Sequence, residues 1–439
     1  MVNKYGVSEA WLPKALAATP GGSQTGSKAP GKAGPLGGYP MFIKRCFGAT
    51  AVDLDENKYL DFIAGLAAVG IGHATDVVQV AVRAALNDGA IFSLPSREEA
   101  IAAERLCAIT GWAEQARFLK TGSEATEAAI RIARCATGRS RLLTVAAGYH
   151  SWHSWFQAVK PQHPGVPNEM AALITGIGYG DGAVLDQLER ESNTSYAAVI
   201  LEPAPTSGGG DATWLNRLRA WASKTGTILI FDEMVWGFRL ATAGGTDYFK
   251  VTPDLATYGK ALGNGIPIAA VVGRRDLMQY ATMVSGTFGG DRLGLAAAIA
   301  VMDVHRSSNR IISMMWERGT QFMLGLREIG MNHSHVEFTV SGYPVHPIIA
   351  ITAPGMETNL LMSVFVQELA DSGVLWHPAG GNIMACMTDE EIRFTIKAVE
   401  TAVNTIERRM TDGNLFTSLR GVPYAAAFAR AHSGEPVAT

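Results

Sequence analysis

Between about residues 66 and 305 the chain alternates short apolar runs with stretches patterned for helices. The runs ARFLKTG, RLLTVAAG, AAVILEP, TILIFDE and PIAAVVG read as strands, with SEATEAAIRIARCATG and WLNRLRAWASKTG as helices between them. Repeated strand-then-helix order predicts an α/β fold with a mostly parallel sheet covered by helices. Ahead of it, residues 8–18 read as a helix stopped by Pro20-Gly21-Gly22, and 41–63 as two strands around the turn signal DENK. The Gly-, Pro- and Ser-rich segment 19–40 reads by composition as a linker. Beyond it come a helix over 311–329, short strands and helices, and a helix over 388–409 opened by a Thr388-x-x-Glu391 capping box. This divides the chain into an N-terminal helix, arm and strands (1–65), a large domain (66–310) and a smaller α+β C-terminal domain (311–439). Its weakly patterned tail, 411–439, is expected to be partly disordered.

Composition narrows the function classes. The 439 residues are 47% hydrophobic and 18% charged, with a net charge of −3. That is the balance of a globular protein with a large core, and it supplies no overall attraction to nucleic acid or anionic lipid. The apolar run GLAAAIAVM (294–302) is too short to span a bilayer and fits a buried helix. Cys46, Cys107, Cys135 and Cys386 form no C-x-x-C pair, so neither a disulfide framework nor a zinc ribbon is expected; they read as buried thiols. The N-terminal residues carry no signal-peptide pattern, and a cytoplasmic protein is expected. His333-x-His335 has nothing nearby to complete a metal ligand set, so no metal is expected.

Four motifs carry candidate chemistry. In KTGSEATEAAIRIAR a strand ends, Gly122 turns, and a helix opens; its free N–H groups suit a phosphate, although an ordinary capped helix reads equally well. In AAGYHSWHSWF the aromatics Tyr149, Trp152, Trp155 and Phe156 follow a strand end, where they would stack on a flat ligand or simply pack a loop. In LIFDEMVWGFR, Asp232 ends an apolar strand, and a carboxylate there needs a cationic or N–H partner. Asp232 and Glu233 are strand neighbours, so they face opposite ways and do not share one site. In DLATYGKALGNGIPIAA, Lys260 stands alone among small residues. The P-loop pattern fails at Asp254 and Ala261, and the dinucleotide fingerprint fails at Ile268. A buried lysine with a lowered pKa becomes a nucleophile toward carbonyls; an isolated lysine is also compatible with the surface.

Taken together, a phosphate cradle, a ring platform, an acid at a strand end and a lysine 28 residues later (260 − 232) are equipment for pyridoxal phosphate, PLP. The motifs TPGG, TGSEATEAAIRIAR, GYHSWH, LEPAPTSGG, FDEMVWGFR, TPDLATYGKALGNGIPIAAVVG and SGTFGGDRLGLAAA, in this order, resemble the class III aminotransferases of PLP fold type I. The branch they resemble most is that of the glutamate-1-semialdehyde aminomutases. The resemblance runs from about Ala10 to Arg409. It implies a large domain with a seven-stranded-type sheet and Lys260 as the Schiff-base lysine that also shuttles a proton. Asp232 would lie on the pyridine nitrogen, Tyr149 and Met234 on the two ring faces, and Gly122 and Ser123 on the phosphate. His150 and Glu202 would lie beside the cofactor. Thr287 would reach the phosphate of a partner subunit, which makes a homodimer. The segment 19–40 would be ordered near the site entrance, contrary to its composition, and there we follow the resemblance.

Around the substrate the chain departs from the mutase pattern. Lys28 stands where the mutase has a carboxylate-binding arginine, and a lysine cannot reproduce a bidentate fork. HPAGGNIMACMT (377–388) lacks the mutase's carboxylate and has Met387 for its histidine. The loop after GYH is shorter, and Gly290-Asp291-Arg292 ends the SGTF segment differently. These departures favour a transaminase that passes an amine from an amino donor to a keto or aldehyde acceptor, with Lys28 and Trp152 as candidate substrate contacts. An aminomutase of the glutamate-1-semialdehyde type is the alternative, and a non-catalytic PLP-binding protein a third reading. No nucleic acid or membrane partner is expected.

Overall fold

The structure, a computed structural model, describes residues 4–145, 148–159, 165–191, 195–308, 310–333 and 335–425. The chain forms two compact units, one of residues 65–314 and one of residues 1–64 with 315–439.

The 65–314 unit is built on a seven-stranded sheet. Its strands lie in the order Gln115–Leu119, Ala269–Gly273, Leu255–Tyr258, Ile228–Asp232, Tyr196–Leu201, Arg141–Val145, Ile174–Ile177. Only Ala269–Gly273 runs antiparallel to its neighbours; the other pairings are parallel. The central strands Tyr196–Leu201 and Ile228–Asp232 are buried at every residue, the continuous apolar pattern of strands covered on both faces. Helix Gly122–Thr137 packs its Ala125, Ala129, Ile132 and Ala133 face into the core with Ala198, Ile200, Ile230 and Val271. The small alanines let this helix lie close to the sheet. The expected α/β architecture is therefore present. Two strands escaped the reading of the sequence, Ile174–Ile177 and Leu255–Tyr258. Each has four residues, too few for a period to declare itself.

The other unit carries a four-stranded sheet ordered Ile43–Phe47, Thr50–Asp53, Lys58–Asp61, Val374–Leu375. The span 41–63 thus holds three strands rather than two, because Gly48, with φ 53°, makes a turn ahead of DENK. In that second turn Asp53 accepts from Asp55 N, Asn57 N and Tyr59 OH at 2.9, 2.8 and 2.8 Å. Phe62, Phe322 and Trp376 form an aromatic core with centroids 5.3 to 5.9 Å apart. The segment 19–40 is ordered, with short turns at Pro20–Gly22 and Gly26–Lys28. Tyr39, 4% exposed, anchors it by donating to Trp376 O at 2.9 Å. Composition misled there because one buried aromatic, Tyr39, and backbone pairing with the tail, not hydrophobic density, hold the segment. Part of the 411–439 tail is ordered as well: Val422 pairs with Leu36, and Ala425 N donates to Gly31 O at 3.0 Å. Residues 426–439 lie outside the described residues.

The capping box at Thr388 and Glu391 opens helix Asp389–Thr411 as expected. Near the far end of that helix, Glu407 accepts from His335 N at 3.0 Å and lies 2.7 Å from His333 Nδ1. Burial opposes its ionisation, but these hydrogen bonds hold its carboxyl below the usual range. A carboxylate with a depressed folded pKa brings stability above its unfolded pKa of about 4.3 and loses it as pH falls through the folded value. Glu407→Gln should therefore cost about 1–2 kcal/mol at pH 7 and much less near pH 3. Urea unfolding at the two pH values measures the difference, and an equal loss at both would contradict it.

No described helix is long and apolar enough to cross a membrane. The cysteines are free, but Cys135 is exposed and the other three half-buried, so the expectation of four buried thiols does not hold. Cys135 sits late in its helix, beyond its last buried residue, Ala133.

Candidate active site

Within the 65–314 unit the candidate side chains stand at the carboxyl ends of sheet strands, where α/β folds collect ligands. Asp232 ends the strand Ile228–Asp232 and is 1% exposed. Its Oδ2 lies 2.7 Å from His150 Nδ1, while Oδ1 accepts from Met234 N at 3.1 Å and Thr257 Oγ1 at 3.2 Å. Thr257 comes from the adjacent parallel strand, in register with Asp232. These partners offset the desolvation of a buried carboxylate. Glu233 faces the other way, accepting from Gly245 N and Thr246 N at 2.9 and 3.0 Å, as strand alternation requires.

His150 is 3% exposed, and its Nε2 has no hydrogen-bond partner among the described residues. Its carbonyl accepts from Thr126 Oγ1 at 3.1 Å, which ties the loop to helix Gly122–Thr137. Beside it, Tyr149 N donates to Glu202 Oε1 at 3.3 Å. Burial first, then the charge of Asp232, raises the Glu202 carboxyl. The Tyr149 ring is 46% exposed and meets Phe156 edge-on at 5.9 Å.

Lys260 follows strand Leu255–Tyr258 in a short 3₁₀ turn, with φ 47°, a left-handed conformation a lysine rarely adopts. Burial, and then the charge of Arg239, push its amine below the ordinary lysine range; Glu202 and Asp232 pull the other way. Met234 is 8% exposed. Its sulfur would lie 2.6 Å from a Cβ at Gly259 and 3.0 Å from one at Gly122, so a side chain at either position would displace it. The helix at Gly122 is capped by Thr121 and Glu124, and the Gly122 and Ser123 N–H groups precede the first intrahelical bonds.

The remaining predicted residues are not drawn into this cluster by hydrogen bonds. Thr287 lies in an exposed stretch beside Phe288, itself 58% exposed. Trp152 is 71% exposed and meets His153 edge-on. Lys28, exposed at the end of its 3₁₀ turn, belongs to the other unit. Trp155 and Phe156, at 2% and 1% exposure, are core residues and not ring platforms. Their loop has no period from which a facing side is readable. Two residues were missed: Thr257 and Arg239. For Thr257 the signal was the undetected strand. Arg239 is fully buried and donates to Ala67 O and Val69 O, which nothing in its local sequence announces.

The cluster offers an amine that burial shifts toward its neutral form, a balanced buried carboxylate, an aromatic face and a helix N-terminus with free donors. It is suited to holding a flat, phosphorylated, nitrogen-containing carbonyl compound. The chain matches the family model of class III aminotransferases over residues 35–408. It is 31% identical over 395 residues to glutamate-1-semialdehyde 2,1-aminomutase of Syntrophobacter fumaroxidans, covering 84% of this chain and 91% of that protein. It is 30% identical over 385 residues to 3-aminobutyryl-CoA aminotransferase of Cloacimonas acidaminovorans, covering 85% and 91%. Its fold is similar to that of FumI from Sphingopyxis sp. MTA144 in its PLP internal aldimine form, with TM-score 0.85, 24% identity, and 95% and 98% of the two chains covered. The family match takes in the whole sheet and the lysine turn, and the chain belongs to the class III aminotransferases.

Proposed function

We propose that this PLP-dependent aminotransferase carries an amino group from an amino donor to a keto or aldehyde acceptor in a ping-pong cycle, with Lys260 as the reacting side chain. The observation that carries the reading is the grouping of Lys260, on its left-handed turn, with the hydrogen-bonded carboxylate of Asp232 and the charges of Glu202 and Arg239; burial there favours the neutral amine. The residues fit the cofactor group by group. Gly122 and Ser123 present N–H groups for its phosphate, and Met234 packs against Gly122 and against Gly259 of the lysine turn. Asp232 suits a protonated ring nitrogen, with His150, Thr257 and Met234 N holding its carboxylate in place. Tyr149 offers a half-exposed ring for stacking. When bound, PLP supplies an electron sink for the electrons released at the substrate Cα.

The chain's own residues do the rest. A lysine shifted toward its neutral form attacks a carbonyl at neutral pH, and takes a proton from the substrate Cα and returns it. His150 keeps Asp232 oriented, and Glu202 stands on the Tyr149 side of the site with its carboxyl raised. We assign Lys28 and Trp152, both exposed, to the substrate. We assign Thr287 to the phosphate site of a second copy in a homodimer; the exposed Phe288 beside it is a surface for that subunit to cover. Four free cysteines fit a reducing, cytoplasmic compartment.

Intramolecular transfer is the second reading, favoured by the likeness to the Syntrophobacter mutase. The lysine at position 28 and the absence of a carboxylate from 377–387 weigh against it. Adding candidate amino donors singly to the holoprotein, with no acceptor, distinguishes the two. Transamination bleaches the yellow absorbance and yields one keto product per site. Isomerisation of an amino-aldehyde or diamine without net amine exchange would instead establish the mutase.

A further inference from the structure

The turn that carries Lys260 contains a second left-handed residue, Asn264, with φ 45°. Asparagine tolerates that conformation better than most residues. The turn is tight: Gly263 N donates to Lys260 O at 3.0 Å and Asn264 N to Ala261 O at 3.2 Å. The Asn264 side chain is buried, at 6% exposure. Its Oδ1 accepts from Gly70 N at 2.9 Å and Ile71 N at 3.1 Å. Its Nδ2 donates to Gly72 O at 2.9 Å and Thr75 Oγ1 at 3.0 Å. The carboxamide therefore uses all four of its hydrogen-bonding positions, every one of them on the strap 70–75.

The same strap is gripped a few residues earlier by Arg239, which donates to Ala67 O at 3.3 Å and Val69 O at 3.0 Å. Leu66 and Ala67 there are left-handed too, at φ 62° and 66°. An open hollow of about 340 Å³, lined by Val69, Thr75, Val78 and Asn264, lies along the strap. Val69 and Ile71 of the strap are buried, at 3% and 7% exposure, and hydrogen bonds from two side chains tie its backbone down. One of these side chains lies four residues from Lys260. The other is the cation whose charge acts on the Lys260 amine.

We propose that Asn264 is a positioning residue for Lys260: its carboxamide locks the lysine turn to the Ala67–Thr75 strap and so fixes the amine relative to Arg239, Asp232 and Glu202. The inference rests on Lys260 being the reacting lysine. Without the lock the turn relaxes, and the amine moves away from Arg239 and toward water. Regained water, which reverses the largest cause of the lowering, returns it toward an ordinary, protonated lysine and outweighs the weakened pull of Glu202 and Asp232.

Asn264→Gly tests this, because glycine accepts the left-handed backbone without strain and removes only the carboxamide. In cofactor-free protein, labelling of Lys260 by an amine-reactive reagent is followed against pH by peptide mass spectrometry, with the exposed Lys224 as reference. The wild type should label Lys260 with a midpoint below that of Lys224. Asn264→Gly should raise the Lys260 midpoint by about one pH unit. In the holoenzyme it should lower kcat about tenfold while the donor KM changes less than about twofold. A wild-type midpoint equal to that of Lys224 overturns the lysine reading and this inference with it. A depressed wild-type midpoint that Asn264→Gly leaves unmoved, with kcat unchanged, overturns the inference alone. Should the variant not fold, hydrogen exchange in the wild type decides: Gly70 and Ile71 amides exchanging together with Gly263 support the lock, and exchange many-fold faster than Gly263 overturns it.

Discussion

Lys260→Ala is expected to abolish amino transfer while leaving the fold intact. The fold should survive because the side chain removed is a single amine that the sheet does not need. Alanine inherits a left-handed backbone that lysine already strains, at φ 47°, so little new strain is added. Activity should fall at least about 10⁴-fold, since the variant loses both the nucleophile and the proton carrier. Far-UV circular dichroism and the urea midpoint should stay near wild type. Steady turnover by Lys260→Ala would show that another residue does this work.

Asp232→Asn is the second large effect. The amide keeps the carboxylate's shape, so the bond from Thr257 Oγ1 at 3.2 Å has a comparable acceptor. What it loses is charge, and with it the charge-assisted contact to His150 at 2.7 Å. On the proposed role of Asp232, support for a protonated ring nitrogen disappears, and the electron sink weakens. We expect kcat to fall about 10²–10³-fold, with the donor KM changed far less. The phosphate site proposed at Gly122 and Ser123 does not involve Asp232, so cofactor content should remain high. Single-turnover kinetics of the donor half-reaction would check this, and a near-normal rate would mean that Asp232 does not face the ring nitrogen.

Much of this site was legible because its parts sit at strand ends, and strand ends are where apolar runs stop in a sequence. Asp232 ends TILIFD, and the Gly122 turn follows ARFL. The capping boxes at Thr121 and Thr388 were readable from two residues each, since the reciprocal bonds are local. Other features depend on partners far away in the chain and leave no local trace. Asn264 bonds to residues about 190 positions earlier, and Arg239 to residues about 170 earlier. The aromatic cluster at 149–156 has the same difficulty. Tyr149 and Trp152 turn outward while Trp155 and Phe156 enter the core, and an irregular loop carries no period that would sort them. The segment 19–40 reads as a linker because its composition is polar and flexible, yet one buried tyrosine hydroxyl, that of Tyr39, pins it.

Reductive trapping tests the central claim most directly. Holoprotein treated with borohydride and digested should carry the phosphopyridoxyl group on the peptide that contains Lys260, and on no other lysine peptide. The group found on a different lysine, or a holoprotein in which nothing is trapped, would contradict the account of this site.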